Sequence, residues 1–445
     1  MRIVNRMSTD MIIKSFIATN VHGYLDFNIK FKDDINFLVG HNGSGKTTAL
    51  RLITALLTPD LKVLVDIPFD SCVVEFENTR TNKLSSVKAS KCDVTLTISS
   101  SLSSISNNYY IEDIVNEKHS HDIMLEEISK LANPILITLD RKFNTRKYYS
   151  RGIHSFSRSL TSNLFYSDDS NEKEDTLTVV KGLINDEIQK VQRRRAQEDV
   201  RLKDKILLDA FNVVDCSRDF FPQSSGYNKD ELSEKRGLIL STLESLNLRD
   251  KNLQEVRVAT DKFFNELNKN IDDFTKYERM PHDERFSNGK YMDAMSFLFS
   301  NRAQLVRIDN MVKFIKESHQ SKSKLYTKID LFENIVNSFF SQTEKNISIR
   351  SGALKINVNG RDIEVDSLSS GETQIITLFA HIIFNRKLIN KASFMIDEPE
   401  LSLHLAWQEM FVESLKLANA NLQVILATHS PAIIKGMDEQ CVFVN

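Results

Sequence analysis

Residues suited to phosphate chemistry form one short segment near the N-terminus. Gly40-His41-Asn42-Gly43-Ser44-Gly45-Lys46-Thr47 fits the pattern G-x-x-x-x-G-K-[ST] at every fixed position. In such a loop the glycines let backbone amides surround phosphate oxygens, and the next helix adds the positive end of its dipole. We therefore predict ATP binding by this loop and Thr48, with Lys46 between the β- and γ-phosphates and the Thr47 hydroxyl on Mg²⁺.

The neighbours of this loop are those that a nucleotide site requires. An apolar run at 35–39 precedes the loop and predicts a buried strand, and residues 48–57 follow it with the pattern of a helix. The alternative is a glycine-rich turn that binds no ligand. The strand, loop and helix context counts against that alternative.

An acidic pair near the C-terminus is the second candidate group. Asp397 and Glu398 directly follow the apolar run 392–396, which predicts a strand of the core. Ligands of open α/β sheets bind at the carboxyl ends of the strands. We expect Asp397 to hold the Mg²⁺ ion and Glu398 to orient or deprotonate the attacking water. Solvated carboxylates at a strand end are the alternative, and the phosphate loop elsewhere in the chain disfavours it.

A histidine ends another apolar run. Residues 422–428 predict a strand, and His429-Ser430-Pro431 follows it. A histidine at that place can donate a hydrogen bond to a γ-phosphate and so respond to its presence. A purely structural hydrogen bond is the alternative for His429.

The segment Leu368-Ser369-Ser370-Gly371-Glu372 opens a predicted helix that covers 373–380. The start of that helix can direct backbone N–H groups towards a γ-phosphate. Ser370 follows Lys46 by more than three hundred positions. The two segments can therefore act on one nucleotide only when the fold, or a second copy of the chain, brings them together.

These motifs together resemble an ABC-type ATPase head. The resemblance rests on the phosphate loop, the Leu-Ser-Ser-Gly-Glu-Thr-Gln signature, the run Met-Ile-Asp-Glu-Pro-Glu, the Ser402-Leu403-His404 loop and Ala-Thr-His-Ser-Pro at 427–431. The wide spacing of loop and signature looks like the RecF, SMC and OLD group rather than a transporter subunit. Residues 399–408 in particular are similar to a run of OLD-like enzymes.

The resemblance implies an α/β fold: an ABC-type P-loop head with a mixed sheet, an antiparallel β-lobe and a helical or coiled-coil insertion. It also implies that signature residues Ser369, Ser370 and Gly371, with Glu372 beside them, act in trans on the γ-phosphate bound to a partner protomer. Each site would then be built from two chains of a homo-oligomer, and hydrolysis would separate them. Ser370 stands where the family usually has glycine.

Pattern shifts divide the chain into three predicted parts. Residues 11–170 would form the N-terminal half of the head, 171–342 a helical arm or dimerisation insertion, and 343–445 the C-terminal half. Apolar residues in the insertion recur at three- and four-residue spacing, as in Phe263-Phe264, Leu267 and Ile271. Packing within the insertion and contact with another molecule both remain open as their role.

The antiparallel lobe is predicted from several strand patterns. Residues 24–31 alternate between polar and apolar, and 72–77 and 93–98 have strand character. The stretch 85–108 is rich in serine, and it predicts turns and a mobile loop around the strand at 93–98.

Two nucleotide contacts are less clearly marked. No glutamine follows a strand between the phosphate loop and the insertion, so the usual glutamine loop is missing. The predicted strand 135–139 could replace it, because Arg141 resembles an arginine of OLD-like proteins, although a solvated basic turn is favoured. Tyr24 could stack on adenine, but a half-buried strand tyrosine is the preferred interpretation.

Composition sets limits on the class of protein. The 445 residues suffice for two or three domains, and 58 basic against 60 acidic residues give no overall charge that would draw the chain onto nucleic acid or membrane. The four cysteines form no C-x-x-C pair, and no stretch approaches eighteen apolar residues. We expect a cytoplasmic protein with no membrane contact.

The sequence shows no nuclease motif of its own. Neither a TOPRIM-type D-x-D pair after the head, nor H-E-x-x-H, nor an H-N-H arrangement is apparent. The chain is most similar to the AriA family, the ATPase subunits of PARIS anti-phage systems. That resemblance implies a separate TOPRIM nuclease effector, AriB-like, and a phage-encoded trigger. The alternatives are a PtuA-like Septu ATPase with an HNH nuclease and a RecF-like repair ATPase that binds DNA. A transporter subunit is disfavoured by the spacing.

Overall fold

The computed structural model describes residues 11–101, 105–116, 122–131, 135–137, 172–214, 229–245, 250–349, 352–385 and 392–444. The strands in chain order are β1 Met11–Val21, β2 Leu25–Lys30, β3 Ile35–Val39, β4 Ser71–Asn78, β5 Lys83–Lys91, β6 Thr95–Ser100, β7 Ile105–Tyr110, β8 Ile135–Ile137, β9 Lys345–Ser348, β10 Lys355–Val358, β11 Arg361–Ile363, β12 Ser393–Asp397, β13 Gln423–Ala427 and β14 Cys441–Phe443.

The helices in chain order are α1 Lys46–Leu57, α2 Leu61–Asp66, α3 Ile111–Val115, α4 Ile123–Leu131, α5 Glu172–Phe211, α6 Lys229–Ser245, α7 Asp250–Glu278, α8 His282–Ser287, α9 Gly289–Ser300, α10 Arg302–Leu325, α11 Thr327–Phe340, α12 Ser370–Phe384, α13 Leu405–Ala418 and α14 Pro431–Ile434.

A five-stranded sheet in the order β14-β3-β13-β12-β8 forms the centre of the head. Its recorded strand pairs are all parallel. Every residue of β12 and β13 is buried, as expected for the inner strands of a parallel sheet that is covered on both faces. β13 lies between β3 and β12, so the carboxyl ends of the three strands meet at one edge of the sheet.

A six-stranded antiparallel sheet in the order β2-β1-β4-β5-β6-β7 forms the predicted lobe. The serine-rich stretch at 85–108, predicted to contain turns and a mobile loop around the strand at 93–98, supplies most of β5, all of β6 and part of β7. A turn at 92–94 precedes β6, as predicted, but the strand β5 was not predicted. Small residues alternate there with apolar ones, and Val87, Ala89, Leu96 and Ile98 are buried on one face. Period-two burial of this kind stabilises a strand even when many of its residues are serine.

Helix α1 joins the two sheets into one core. It buries Ala49, Leu50, Leu52 and Ile53 in a cluster that also contains residues of both sheets. A helix that begins at the phosphate loop is thereby fixed along its whole length, which holds the loop in place relative to β3.

Gln423, at the start of β13, links the sheets by hydrogen bonds. Its side chain is fully buried. The amide oxygen accepts from the Ile13 N–H at 2.8 Å and the Ser393 hydroxyl at 2.6 Å, and the amide nitrogen donates to the carbonyls of Ile13 at 2.7 Å and Lys32 at 2.8 Å. All four hydrogen-bonding positions of the side chain are therefore used.

The segment before the signature forms a small antiparallel sheet. β9, β10 and β11 pair antiparallel in a three-stranded sheet. α12 then begins with Ser369 as its N-cap and closes a capping box in which Ser369 and Glu372 bond to each other's backbone N–H groups. The signature thus opens a helix, as predicted.

The chain divides into two compact units, one of residues up to 188 together with 328–445, the other of residues 189–327. The second unit is helical, and Phe264, Leu267 and Ile271 are buried in its own core, so these residues pack within the insertion. The three-part division at 171 and 342 stays a prediction. Among the described residues, no helix has the length and apolar character needed to cross a membrane.

We expect Gln423→Leu to lower the free energy of unfolding of the head by about 2–4 kcal/mol, because several buried polar partners lose their hydrogen bonds. Thermal unfolding followed by tryptophan fluorescence would measure the loss. Gln320→Leu, which replaces an exposed glutamine of α10, is the matched control. A Gln423→Leu protein as stable as the control would contradict the role assigned to this amide.

Candidate nucleotide-binding site

The phosphate loop has the backbone that its glycines allow. Gly43 and Gly45 adopt left-handed φ angles of 83° and 85°. A Cβ atom on Gly45 would lie 2.7 Å from the Phe27 ring, and one on Gly40 would lie 2.4 Å from the Val444 carbonyl oxygen. The loop is therefore packed against β2 on one side and the end of β14 on the other, and larger residues at Gly40 and Gly45 would displace it.

Lys46 is turned over the loop and is 5% exposed. Its ammonium group donates to the carbonyls of Gly40 at 3.0 Å and His41 at 3.2 Å. Burial lowers the pKa of Lys46, and the carboxylates of Glu398, Asp397 and Glu400 act against that shift. A phosphate in the loop would give the partly buried Lys46 ammonium an anionic partner.

Asp397 ends β12 and is 4% exposed. Both of its carboxylate oxygens are buried without a hydrogen-bond partner among the described residues. Burial raises the pKa of Asp397, Glu398 raises it further, and the nearby Thr47 hydroxyl and Lys46 act in the opposite direction. The Thr47 hydroxyl therefore lies near this carboxylate.

These donors fit ATP with Mg²⁺. A buried carboxylate without a partner beside a threonine hydroxyl offers the hard oxygen ligands that Mg²⁺ takes when phosphates complete its shell. The glycine cradle, the Lys46 ammonium and the start of α1 fit the phosphates. The residues Thr47 and Asp397 would hold the metal, and Gly40 through Thr48 the nucleotide.

Glu398 follows directly with an unusual backbone. It has φ 47° and ψ 58°, a left-handed conformation that costs a non-glycine residue about 1–3 kcal/mol. Its N–H donates to the Ala427 carbonyl at 2.8 Å, which ties the turn after β12 to the end of β13. The turn directs Glu398 out of the strand, at the sheet edge where Lys46 and Asp397 lie.

The turn after β13 carries His429. Thr428 is fully buried, and its N–H donates to the Leu38 carbonyl at 3.3 Å, next to the phosphate loop. The His429 side chain is exposed. Three parallel strands thus present the phosphate loop, the acidic pair and the histidine at one edge, as the sequence predicts.

Glu400 and Gln408 belong to the same site, and sequence reasoning assigned them no role. The Glu400 carboxylate accepts from the His429 N–H at 2.6 Å and the Thr428 hydroxyl at 2.8 Å. Gln408 accepts from the Ser430 hydroxyl at 2.6 Å. The only sequence signal for these two residues was the similarity of the run at 399–408 to OLD-like enzymes. Periodicity cannot show which distant turn a carboxylate contacts, so their hydrogen bonds could not be predicted.

The signature residues divide into outward and inward groups. Ser369 is exposed and Ser370 partly so, whereas Glu372 is 2% exposed. Lys345 donates to the Glu372 carboxylate at 2.8 Å. Although burial acts to raise the pKa of Glu372, the hydrogen bonds from Lys345 and Ser369 hold it below its usual value. Glu372 therefore shapes the helix start, while the two serines face outward.

Gly371 explains why the signature needs a glycine there. A Cβ atom at Gly371 would lie 2.3 Å from the Ser402 carbonyl oxygen. The start of α12 thus lies directly against the turn that follows Glu398 in the same chain. Whether Ser369, Ser370 and Gly371 also act on the nucleotide of a partner stays a prediction.

The two weaker sequence hypotheses have different outcomes. Tyr24 is 72% exposed, so the preferred half-buried position is wrong. The tyrosine lies in the short β1–β2 turn, which places its side chain in water, and His22 of that turn lies 3.4 Å from the Thr48 hydroxyl. Adenine stacking by Tyr24 stays a prediction. Arg141 lies outside the described residues.

Comparison with protein families decides the identity. The AAA ATPase domain family matches residues 11–434. The chain belongs to this family. Its core sheet, antiparallel lobe and helical insertion agree with the predicted ABC-type P-loop head, and the fold class is confirmed. The described pairs of the central sheet are all parallel rather than mixed.

Two curated relatives of this AAA ATPase match part of the chain. The "Retron Vc95 probable ATPase" of Vibrio cholerae serotype O1 biovar El Tor is 26% identical over 171 residues, which are 34% of this chain and 33% of that protein. The "Retron Ec83 probable ATPase" of Escherichia coli is 30% identical over 146 residues, 30% of this chain and 27% of that protein. The match therefore spans about a third of the length of the first relative and about a quarter of the second.

Solved SMC head domains are similar in outline. The head of Pyrococcus furiosus Smc, solved with the C-terminal domain of ScpA, gives a TM-score of 0.40 at 12% identity and covers 95% of this chain and 91% of that one. The Thermotoga maritima SMC head gives 0.37 at 10% identity, with 95% and 91% covered.

We expect Lys46→Ala to weaken ATP binding by about 10- to 100-fold, because a charged hydrogen bond to phosphate contributes about 1.5–3 kcal/mol. Isothermal titration calorimetry with ATP and Mg²⁺ would measure the affinity. Lys30→Ala, which removes an exposed lysine of β2, is the control. Unchanged affinity in Lys46→Ala would refute the assignment of this loop.

Proposed function

We propose that this AAA ATPase hydrolyses ATP and acts as a switch that closes around the nucleotide as a dimer. The observation that carries the proposal is the convergence of Lys46, Asp397, Glu398 and His429 at the carboxyl edge of one parallel sheet. Bound Mg²⁺ would neutralise part of the negative charge of the phosphates.

Each residue of the site has one task in this proposal. The loop amides and Lys46 hold the phosphates, and Thr47 and Asp397 hold the metal. Glu398 accepts a proton from, or orients, the attacking water, since its backbone turn directs it out of the strand end. His429 donates to the γ-phosphate from the neighbouring strand, and this contact is lost once the phosphate leaves.

The proposed dimer uses the outward-facing start of α12. Ser369 and Ser370 lie there beside the turn at 399–404. Leu401 in this turn and Leu405 directly after it are 62% and 60% exposed. Apolar side chains in water beside a helix start suited to phosphate are consistent with a face that a second copy covers when both bind ATP.

The proposed biological role is that of an ATPase subunit in an anti-phage defence system. Support comes from the two relatives, which are named as retron probable ATPases. We propose an AriA-like arrangement in which the ATPase holds a separate TOPRIM nuclease, AriB-like, and releases it when a phage-encoded trigger is sensed. A PtuA-like partnership with an HNH nuclease and RecF-like DNA binding are the alternatives.

We expect Glu398→Gln to keep ATP affinity while lowering kcat at least 100-fold, because the amide cannot take a proton from water. Phosphate release would measure turnover, and light scattering after size exclusion would detect an ATP-dependent dimer that persists. Glu409→Gln, on the exposed side of α13, is the control. Wild-type turnover in Glu398→Gln would exclude Glu398 as the base.

The partner is tested by affinity capture of the Glu398→Gln protein with ATP from cells that carry its native gene neighbourhood. We expect mass spectrometry to identify a TOPRIM nuclease that is absent when the bait is Lys46→Ala. An HNH nuclease instead would favour the PtuA-like alternative. DNA without a protein partner would favour the RecF-like one.

A further inference from the structure

Glu400 holds the turn that carries His429 through both of its carboxylate oxygens. One oxygen accepts from the His429 backbone N–H at 2.6 Å and the other from the Thr428 hydroxyl at 2.8 Å. A carboxylate that accepts two hydrogen bonds from adjacent residues fixes both their distance and their orientation, and such charge-assisted bonds are stronger than neutral ones. The peptide before the His429 imidazole is thus fixed by a residue of another turn.

Further hydrogen bonds close this contact into a ring. The Ser430 N–H donates to the Thr428 hydroxyl oxygen at 3.0 Å, and the Ser430 hydroxyl donates to the Gln408 side-chain oxygen at 2.6 Å. The Gln408 side-chain nitrogen returns to the turn after β12, where it donates to the carbonyls of Leu403 at 2.8 Å and Glu400 at 3.3 Å. We call Glu400, Thr428, Ser430 and Gln408, with the His429 N–H, the sensor ring.

The His429 imidazole itself is exposed, and no hydrogen bond to it is recorded among the described residues. Its direction therefore depends on the backbone of 428–430, which the sensor ring fixes. Gln408 of the ring also bonds to the carbonyls of the turn at 399–404. The Ser402 carbonyl of this turn packs against Gly371 of the signature helix. One short turn consequently contacts the signature on one side and the histidine on the other.

We infer that Glu400 is a positioning residue for hydrolysis: with Gln408 it holds His429 where the imidazole can reach the γ-phosphate. This inference rests on the proposed ATPase function. Glu400 does not touch the nucleotide in this scheme, so its loss affects the step that uses the histidine and leaves nucleotide binding to the phosphate loop. The effect must therefore appear in kcat rather than in KM.

The test compares steady-state ATP hydrolysis by the wild type, Glu400→Ala, Gln408→Ala and the double variant. We expect Glu400→Ala to lower kcat about 10- to 100-fold with KM for ATP within about twofold of the wild type, as for a misplaced catalytic group. Because both residues act in one ring, we expect the double variant to lose no more than about twofold beyond Glu400→Ala. Multiplicative losses would overturn the ring as a unit.

Two further variants separate positioning from folding. Glu400→Gln keeps one oxygen for the His429 N–H, and we expect it to recover at least half of the lost kcat on a logarithmic scale. Thr428→Val removes only the hydroxyl from a buried side chain of the same shape, and we expect a kcat loss in the same direction as Glu400→Ala. Glu409→Gln is the unchanged control: Glu409 follows Gln408 on the exposed side of α13, and its carboxylate accepts from Lys435, outside the ring. Wild-type kcat in both Glu400→Ala and Thr428→Val would refute the inference.

Amide hydrogen exchange of the peptide at 424–432 gives a readout that does not need turnover. We expect the His429 amide to exchange at least about tenfold faster in Glu400→Ala and at the wild-type rate in Glu409→Gln. Equal protection in the two variants would overturn the ring whatever the kinetics show. Absence of ATP hydrolysis by the wild type would instead refute the proposed function, and the exchange data would still decide about the ring.

Discussion

The buried amide of Gln423 is the constraint on which the arrangement of the head depends. It lies at the start of β13, and its four hydrogen bonds reach β1, β12 and the chain before β3. β13 lies between the strands that carry the phosphate loop and the acidic pair, so a shift of one residue would move His429 and break the hydrogen bonds of this amide. A polar group that is satisfied only in one register therefore selects the register in which the site residues meet.

The charged residues of the site favour a ligand that brings both a cation and an anion. Burial raises the pKa of Asp397 and lowers that of Lys46, which means that each group has lost hydration. A cation beside the first and an anion beside the second would each compensate that loss. The left-handed backbone of Glu398 adds strain at the same place, where functional sites commonly store it.

Much of the fold and site could be predicted from the sequence because local patterns carried the information. Mostly apolar runs predicted the strands that lead to the phosphate loop, to Asp397 and to His429, and the loop itself has a fixed spacing. The serine-rich β5 was missed because composition outweighed its alternation of Val87 and Ala89. Tyr24 was misplaced because one turn residue gives no periodic signal of burial.

The sensor ring could not be predicted for a different reason. Its members come from two turns and a helix, and the hydrogen bonds between Glu400 and Thr428 or Gln408 and Ser430 depend on how β12 and β13 pair. The motif at 399–408 includes Glu400 and Gln408, but it does not indicate which residues they bond to. Contacts of this kind follow from tertiary structure alone, so the sequence indicated the place and the structure supplied the roles.

The strand order of the central sheet has a consequence for synthesis of the protein. β3 pairs with β13, which the ribosome completes about 390 residues after Val39. At about 5–20 residues per second, an apolar strand emerges on the order of 20 to 80 s before the strand that covers it. Such an unpaired strand edge is a binding site for chaperones and a risk for aggregation. The antiparallel lobe and α1, complete much earlier, give β3 a surface to pack against during that interval.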